Sequence, residues 1–572
     1  MNKKQDTLWT AFSRQRQPPA KRQKLALGES VARRKALACD AFDSDDDAAG
    51  TVTDADLFSS QEDAVGEGLS AWIRTDKRGA EQEVKRKDKS VELETHIQRL
   101  NDRKEIKDSV HGLMTFEPLC MRIIDTLQFQ RLRNLHQLGS ANFVYIGATH
   151  SRFEHSLGVA YLAENMLESI RTHQPWLPIT KTDVLCVKIA GLCHDLGHGP
   201  FSHVFDGVFL ELMKREKLVD QFFKWTHEQG SVDMLDFLLK ENQIDVTDYG
   251  LTELDVVFIK ELILGGPIAG SNGVLRGRPS CNQRFLYDIV NNASSGLDVD
   301  KLDYFMRDSL HTGAKMSCDT DLLIRNARVL VDREDIEGKM VLCFPEKLAG
   351  QIMQAFRARY ELHQSVYQHK GVRAIDYMIC DLLIAANDHI TIKGKRISEI
   401  ASCMEAYQHL DDRVLLKIQE SEVAELQESR SLLKRIFTKP YYDFIGKTAV
   451  TDHSQQKTED MLLNEVLRCS TCRSLVDEKD GVILEFMRVH FGKGKDDPLQ
   501  YIRFYSKNAT AGSTCFQLPA CAYEMFTPSK YQEHSVRVFV RERRLLAPVR
   551  EAFELWCRKF NNSQVFPLEL LN

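Results

Sequence analysis

The sequence predicts a mainly α-helical protein with a smaller C-terminal α+β lobe and a disordered N-terminal tail. Three observations support this fold class. Apolar residues recur at helical spacing from Ile97 to about Phe444, β-branched and aromatic residues alternate in later segments, and residues 1–95 have no sustained apolar period. We therefore expect three regions: 1–95 as the tail, 96–445 as the helical domain and 446–572 as the smaller α+β lobe.

Composition narrows the class of protein. The chain has 572 residues, of which 43% are hydrophobic and 28% charged, so two or three folded units are expected. No stretch approaches the roughly 18 consecutive apolar residues that a membrane span needs, and no secretory signal opens the chain. The 14 cysteines are scattered, which favours a reducing compartment, and the net charge of −6 argues against uniform phosphate binding.

The tail changes from basic ("RQRQPPAKRQKL") to acidic ("DAFDSDDDAAGTVTDADLFSSQED") and cannot bury enough apolar surface to fold. Its "PPAKRQKL" cluster predicts import into the nucleus, with the cytoplasm as a second compartment and a merely solvated basic stretch as the alternative. "QDTLWTAF", from Gln5 to Phe12, resembles a sliding-clamp-binding peptide, although Ala11 occupies an aromatic position. A random amphipathic patch is the alternative there.

The helical domain is predicted from segments such as "CMRIIDTLQFQRLRNL", "SLGVAYLAENMLESI" and "DVLCVKIAGLCHDLG". Helical patterns continue from Met340 to about Phe444, notably in "EKLAGQIMQAFRARYELHQSVYQHK". The strand-like segments "KDGVILEFMRVHFG", "LQYIRFYSK" and "HSVRVFVRERR" then predict a small sheet, and "LAPVREAFELWCRKF" predicts a closing helix.

The stretch "CHDLGHGPFSH" follows an apolar helix that stops at its glycines and proline. His194 and Asp195 therefore lie near a helix end, where short side chains can face a cleft. "SRFEHSLG" adds His155 and "LDVDKLDYFMRD" adds an aspartate, most plausibly Asp300. Imidazole and carboxylate ligands together suit Zn, Mn or Fe, so the pattern predicts a divalent metal site with positions open for water and substrate.

Two other interpretations of these histidines stay open. Each histidine alone is more often a satisfied core or surface residue. His194 and His198 also have the i, i+4 spacing of a zinc protease helix, but the glutamate of that motif is missing and Gly197 interrupts the helix. Burying even a neutral polar group without a partner costs about 2–7 kcal/mol, which favours a metal beside Asp195.

The series "RFEHSLG", "CHDLGHGPFSH", "WTHEQGS" and "DVDKLDYF" resembles the HD-domain phosphohydrolases. Within them it is similar to the deoxynucleoside triphosphate (dNTP) triphosphohydrolases, in particular the vertebrate branch that joins a SAM domain to an HD domain. The resemblance runs from roughly Arg103 to Lys559, and the tail stands where a SAM domain would be expected. It implies a helical HD phosphohydrolase core that hydrolyses dNTPs to deoxynucleoside and triphosphate and so controls dNTP pools.

The resemblance also assigns residues, all by position. The metal ligands it implies are His155, His194, Asp195 and Asp300, with Mg²⁺ accompanying the nucleotide. The catalytic residues it implies are His203 as proton donor, Asp206 as its orienting carboxylate, His227, and Arg152 at the phosphate. The implied substrate-binding residues are Gln137, Leu138, Arg152, His198, Lys301, Tyr304, Asp308, Arg359, His363 and Tyr367. Lys301 and Arg359 would clamp the triphosphate, while Leu138 and Tyr367 would crowd C2′ and exclude ribose.

Members of this family are regulated by nucleotides that bridge subunits of a tetramer, so GTP or dGTP and a dNTP are the implied activators. For the first site the matching positions are Lys104, Asp125, Gln130 and Arg133. For the second site they are Val144, Tyr145, Arg328, Lys347, His369, Lys370 and Lys507. The sequence departs from the family at Lys107, Pro345 and around Lys439 and Asp443, which affects the expected activator affinity.

Two alternative functions remain at this stage. An HD phosphodiesterase or nucleotidase would keep the metal without the triphosphate clamp, and a single-stranded nucleic-acid-binding protein would use the basic regulatory cleft. "CSTC" (Cys469 and Cys472) lacks the two further ligands of a structural zinc site, so ordinary thiols are favoured over a redox pair.

Overall fold

The computed structural model describes residues 103–215, 225–510 and 512–561. Within these ranges the predicted mainly helical domain is confirmed. Its helices are α1 (Pro118–Ile124), α2 (Leu127–Gln130), α3 (Arg152–His173), α4 (Lys181–Cys193), α5 (Leu210–Arg215), α6 (His227–Glu241), α7 (Glu253–Leu264), α8 (Val299–Thr312), α9 (Thr320–Asn326), α10 (Ala349–Leu362), α11 (Lys370–Ala386), α12 (Met404–Tyr407), α13 (Val414–Glu420) and α14 (Gln427–Thr438).

The tail with its clamp-like peptide and basic cluster lies outside the described residues. Among the helices that are described, none has both the length and the apolar character to cross a membrane.

Helices α3 and α4 form the centre of the core. Each begins with a capping box, in which Ser151 and Glu154, and likewise Thr180 and Asp183, satisfy each other's backbone N–H groups. The two helices are mostly buried along their length and pack against each other. They approach closely at Gly191, where a Cβ atom would lie 3.2 Å from the backbone of Ala160.

The strands form small sheets. An N-terminal hairpin pairs β1 (Lys104–Asp108) with β2 (Gly112–Phe116), and β5 (Thr391–Ile392) pairs with β6 (Lys395–Arg396). A four-stranded sheet has the order β10-β3-β4-β9, made of β3 (Arg328–Asp332), β4 (Met340–Pro345), β9 (Arg503–Tyr505) and β10 (Thr514–Cys515). A three-stranded antiparallel sheet has the order β7-β11-β8, made of β7 (Asp443–Ala449), β8 (Val482–His490) and β11 (Gln532–Val540).

The predicted C-terminal α+β lobe is confirmed. Its helices α15 (Asp452–Gln455), α16 (Glu459–Arg468) and α17 (Leu546–Trp556) accompany the three-stranded sheet. A separate apolar cluster holds them together, with Trp556, Val538 and Val466 fully buried in it. The boundary at residue 446 stays a prediction.

One expectation was wrong in detail: the segment from Met340 does not begin as a helix. β4 covers "MVLCFP" and is buried between β3 and β9. Its β-branched and aromatic residues fit a central strand, and six residues are too few for a helical period to be distinguished.

Gly158 on α3 permits a close approach to α8, because a Cβ atom there would lie 2.0 Å from Asp303 Oδ1 and 2.6 Å from Arg307 Nη2. We therefore expect Gly158→Ala to lower the free energy of unfolding by about 1–3 kcal/mol through overpacking, measured by denaturant unfolding of the metal-free protein. Gly350→Ala on α10 is the matched control, since a Cβ atom meets nothing within 4 Å there. Equal stability of the two variants would contradict this account.

Candidate active site

The HD pair lies on the turn that ends α4. Backbone carbonyl groups in a buried turn need hydrogen-bond partners, and here buried side chains supply them. Arg131 donates hydrogen bonds to the carbonyl oxygens of Leu196 (3.2 Å) and His198 (2.6 Å), and the Tyr407 hydroxyl donates to that of Gly197 (2.7 Å). The turn is therefore fixed by contacts from distant parts of the chain.

The same turn continues through two residues in left-handed conformation, Phe201 (φ 57°) and Ser202 (φ 56°). Such a conformation is uncommon outside glycine and costs free energy. Asp412 accepts a hydrogen bond from the Phe201 N–H (2.7 Å), and the Ser202 hydroxyl accepts one from Arg152 Nε (2.9 Å). These bonds stabilise the backbone that presents His203 to the cleft.

The structure brings the four predicted metal ligands together. His155 Nε2 lies 3.1 Å from Asp300 Oδ1 and 3.6 Å from Asp195 Oδ2. His194 Nε2 lies 3.4 Å from Asp195 Oδ1 and 3.5 Å from Asp300 Oδ1. Neighbouring ligand atoms bound at 2.0–2.1 Å to one small cation lie about 3–3.4 Å apart, and potential ligand atoms of His155, His194 and Asp195 all lie within 4.8 Å of one another. Together with Asp300, these groups suit a small divalent cation that keeps positions open for water and substrate.

Hydrogen bonds at the opposite ring nitrogens orient both imidazoles. His155 Nδ1 donates to Asp303 Oδ2 (2.7 Å) and His194 Nδ1 donates to the Gly191 carbonyl (2.8 Å). Both Nε2 atoms therefore face the carboxylates, as metal ligation requires. Nε2 of His194 is buried and has no hydrogen-bond partner among the described residues, which is the expected state of a ligand atom.

Negative charge dominates this part of the cleft. Burial opposes the charged form of His155, yet hydrogen bonds to Asp300 and Asp303 raise the pKa of its imidazole to about 10. Burial likewise opposes the charged form of Asp195, but the positive charges of Arg152 and His194 hold the pKa of its carboxyl well below its usual range. The field that favours protonated imidazole would equally stabilise a bound cation.

Sequence reasoning missed Asp303, which orients His155. Its carboxylate also accepts hydrogen bonds from His111 Nε2 (2.5 Å) and Arg307 Nε (2.9 Å), and Arg307 in turn binds Asp108 (3.0 Å). Asp303 lies one helical turn after the proposed ligand Asp300. This spacing was the only feature of the sequence that indicated a role for Asp303 at the site. His111 and Asp108 come from the N-terminal hairpin, so no local pattern indicates them.

A second cluster contains His198, His203, Asp206 and His227. The rings of His198 and His227 stack at 4.0 Å, and Asp206 accepts a hydrogen bond from His227 Nδ1 (2.9 Å) while lying 3.7 Å from His203 Nδ1. Asp206 therefore contacts both rings and bonds most closely to His227.

The two stacked rings have pKa shifts of opposite direction. Burial opposes protonation of His227, but Asp206 and Glu228 raise the pKa of its imidazole above the usual value. Burial and the charges of Arg152 and His227 hold the pKa of His198 well below the usual value. The surroundings therefore favour the protonated form of His227 and the neutral form of His198.

All ten predicted substrate-binding residues line one cavity of about 640 Å³, together with the four predicted metal ligands. Arg152 is buried and donates to Asp195 Oδ2 at 2.6 Å, so it is not a surface cation. Lys301 and Arg359 are half-buried on neighbouring helices. Asp308 accepts from the Tyr367 hydroxyl (2.5 Å) and from His150 (2.8 Å), which fixes one wall of the cavity.

Comparison with known proteins shows where this arrangement belongs. The family model described as "HD domain" matches residues 152–248. The chain is 39% identical over 496 residues to the human deoxynucleoside triphosphate triphosphohydrolase SAMHD1, covering 82% of this chain and 77% of that protein. The Bos taurus protein is also 39% identical, with 82% and 80% covered, and the Dictyostelium discoideum SAMHD1 homolog is 33% identical, with 80% and 82% covered. The chain belongs to the SAMHD1 family.

The residues predicted for the first activator site of this SAMHD1 family member lie on the surface around α2. Asp125 and Arg133 are exposed, and Arg133 Nε donates to Gln130 Oε1 (2.7 Å). Lys104 is exposed at the start of β1. Buried Arg131 lies between Gln130 and Arg133 in the sequence and donates hydrogen bonds to the HD turn. This short segment therefore connects the surface to the turn that carries the predicted metal ligands.

The residues predicted for the second site fall in two groups. The rings of Tyr145 and His369 contact edge to face at 5.8 Å, with Val144 and Lys370 next to them in the chain. Arg328, Lys347 and Lys507 lie at one end of the four-stranded sheet, since Pro345 pairs with Tyr505 and Arg328 with Cys343. Departing from the family pattern, Lys107 lies on β1, Pro345 on β4 and Asp443 on β7.

Cys469 and Cys472 are free thiols, half-buried and exposed respectively. Nothing about them indicates a metal site among the described residues, because neither occurs in a group of potential ligands there.

Asp303→Asn should weaken metal retention by roughly 10–100-fold, because it removes the charged partner that orients His155. The measurement is metal content by mass spectrometry during titration with a chelator. Asp236→Asn is the matched control, since that carboxylate is exposed on α6 and pairs only with Lys260. Chelator resistance equal to the control would show that Asp303 does not support the site.

Proposed function

We propose that the chain hydrolyses dNTPs to deoxynucleoside and inorganic triphosphate, the activity that its relatives' names state. One observation carries the proposal: the histidine–carboxylate group and the cations Lys301 and Arg359 line the same cavity. An HD phosphodiesterase or nucleotidase acting on monophosphates or cyclic nucleotides would need the histidine–carboxylate group but not the two cations.

The residues present fit a divalent cation, with Fe, Zn or Mn suited to two imidazoles and two carboxylates. His155, His194, Asp195 and Asp300 would hold it, and when bound it supplies Lewis-acid polarisation of the α-phosphate. Mg²⁺ would accompany the nucleotide.

The chain's own residues would perform the remaining tasks. Attack of water on the α-phosphorus breaks the bond from phosphorus to O5′, and the departing oxygen needs a proton. We assign this donation to His203, which lies in the second histidine cluster with Asp206 and His227. Arg152, Lys301 and Arg359 would neutralise the phosphates, and Tyr367 with Leu138 would close the pocket at C2′.

Regulation is proposed from the same family pattern. GTP or dGTP would bind around Asp125, Gln130 and Arg133, a dNTP would bind at the second group, and both would stabilise a tetramer that controls dNTP pools. The surface exposure of Asp125 and Arg133 beside buried Arg131 supports this assignment.

We further propose that residues 96–445 are the catalytic domain and 446–572 the oligomerisation lobe, and that the protein acts in the nucleus. Single-stranded nucleic acid and, through Gln5–Phe12, a sliding clamp are proposed partners.

Incubation with dATP, Mg²⁺ and GTP should yield deoxyadenosine and intact triphosphate in equal amounts, resolved by ion-exchange chromatography. His203→Ala should lower kcat by roughly 10²–10⁴-fold, the usual contribution of a general acid, while His409→Ala, a partly exposed histidine on a turn far along the chain, should not. Release of dAMP or phosphate instead would favour the phosphodiesterase or nucleotidase alternative.

Asp125→Asn should change the activating nucleotide from GTP to xanthosine triphosphate. A carboxylate accepts from guanine N1–H and N2–H, whereas the Asn amide can donate to the second carbonyl of xanthine. We expect stimulation by xanthosine triphosphate to replace stimulation by GTP, measured as the rate at saturating dATP. Unchanged stimulation by GTP would remove Asp125 from the activator site.

A further inference from the structure

The loop that follows β8 reaches the proposed triphosphate clamp. Arg359 Nη1 donates to the carbonyl oxygen of His490 (2.5 Å), where this loop begins. His490 Nδ1 then accepts the backbone N–H groups of Gly492 (3.0 Å) and Gly494 (3.3 Å). The φ angles of the two glycines, 127° and 63°, are positive and favour glycine. The loop is thus folded tightly against the clamp.

Lys493 lies between these glycines and extends toward the start of α8. Its Nζ donates to the Ala293 carbonyl (3.0 Å) and lies 4.9 Å from the centre of the Tyr501 ring. A Cβ atom on Gly296 would lie 3.5 Å from Lys493 Cε, so the side chain runs along this segment. The segment leads directly into the first turn of α8, which carries Lys301.

The charge of Lys493 is less balanced than that of its neighbour. Lys301 Nζ pairs with Asp298 at 2.8 Å. Lys493 has no carboxylate within 4.0 Å among the described residues. Burial and the positive charge of Lys301 together lower the pKa of Lys493, against the opposing effect of Asp298. An excess of positive charge beside a cleft attracts a polyanionic ligand.

We propose that Lys493 is a further triphosphate-binding residue, contacting the terminal phosphate of a dNTP whose inner phosphates lie at Lys301 and Arg359. This inference rests on the proposed function. A flexible ammonium is a compact charge suited to phosphate oxygens, and the carbonyl of Ala293 holds it only by one exchangeable hydrogen bond. The two glycines let the loop backbone approach closely without side-chain obstruction.

The test compares Lys493→Gln with Lys493→Arg and with Lys495→Gln, an exposed lysine of the same loop. A lost charge-assisted hydrogen bond corresponds to roughly a tenfold weaker interaction. We expect Lys493→Gln to raise KM for dATP and Ki for inorganic tripolyphosphate by about that factor, with kcat within about twofold and Ki for pyrophosphate unchanged. Lys493→Arg should recover most of the loss, and Lys495→Gln should resemble the wild type.

An unchanged Ki for tripolyphosphate in Lys493→Gln would overturn the proposal, whether or not Tm and kcat fall, because a structural residue would lower stability without selecting the longer phosphate chain. Failure of the wild type to release triphosphate from dATP would instead overturn the proposed function. Calorimetric binding of inorganic tripolyphosphate to the three variants would still decide the role of Lys493 in that case.

Discussion

Two buried carboxylates, Asp195 and Asp303, and the half-buried Asp300 surround His155 and set the charge balance on which the cleft depends. Transferring a charge into a protein interior costs several kcal/mol per ion unless it is compensated. Arg152 compensates Asp195 at 2.6 Å and Arg307 compensates Asp303 at 2.9 Å. Asp300 faces the two imidazoles, and no arginine among the described residues pairs with it. A divalent cation at this point would therefore stabilise the folded core as well as supply chemistry.

The HD turn carries Asp195, one of these carboxylates, and side chains from other parts of the fold hold the turn in place. A turn after a helix has exposed carbonyl groups and little packing of its own, so it needs external support. Arg131, Tyr407 and Asp412 provide it from segments far apart in the sequence. Gly197 allows the approach of α6, since a Cβ atom there would lie 2.2 Å from the His227 carbonyl. The turn therefore contributes residues to both histidine clusters, His194 and Asp195 to the first and His198 to the second.

Much of the fold and site could be predicted because the relevant residues are adjacent to periodic helices. His155 opens α3, and His194 and Asp195 end α4, so their helix patterns also locate their side chains. The hairpin β1–β2 and the strand β4 were not predicted, since short strands between helices have no distinct period. Asp303 was missed for a different reason: its partner His111 is 192 residues away, and pairs of that separation leave no local signal.

The cleft is electrically asymmetric, and this asymmetry bears on which bond is cleaved. Carboxylates surround the predicted metal ligands His155 and His194, whereas Lys301 and Arg359 add positive charge to the same cavity, and the wall formed by Tyr367 and Asp308 is fixed by hydrogen bonds. In the proposed pose the triphosphate lies on these cations and the sugar lies against that wall. That pose requires the junction between them, the bond from the α-phosphorus to O5′, to lie beside the predicted metal ligands. Cleavage between the phosphates would require the chain of phosphates to move off its cations, which the electrostatics oppose.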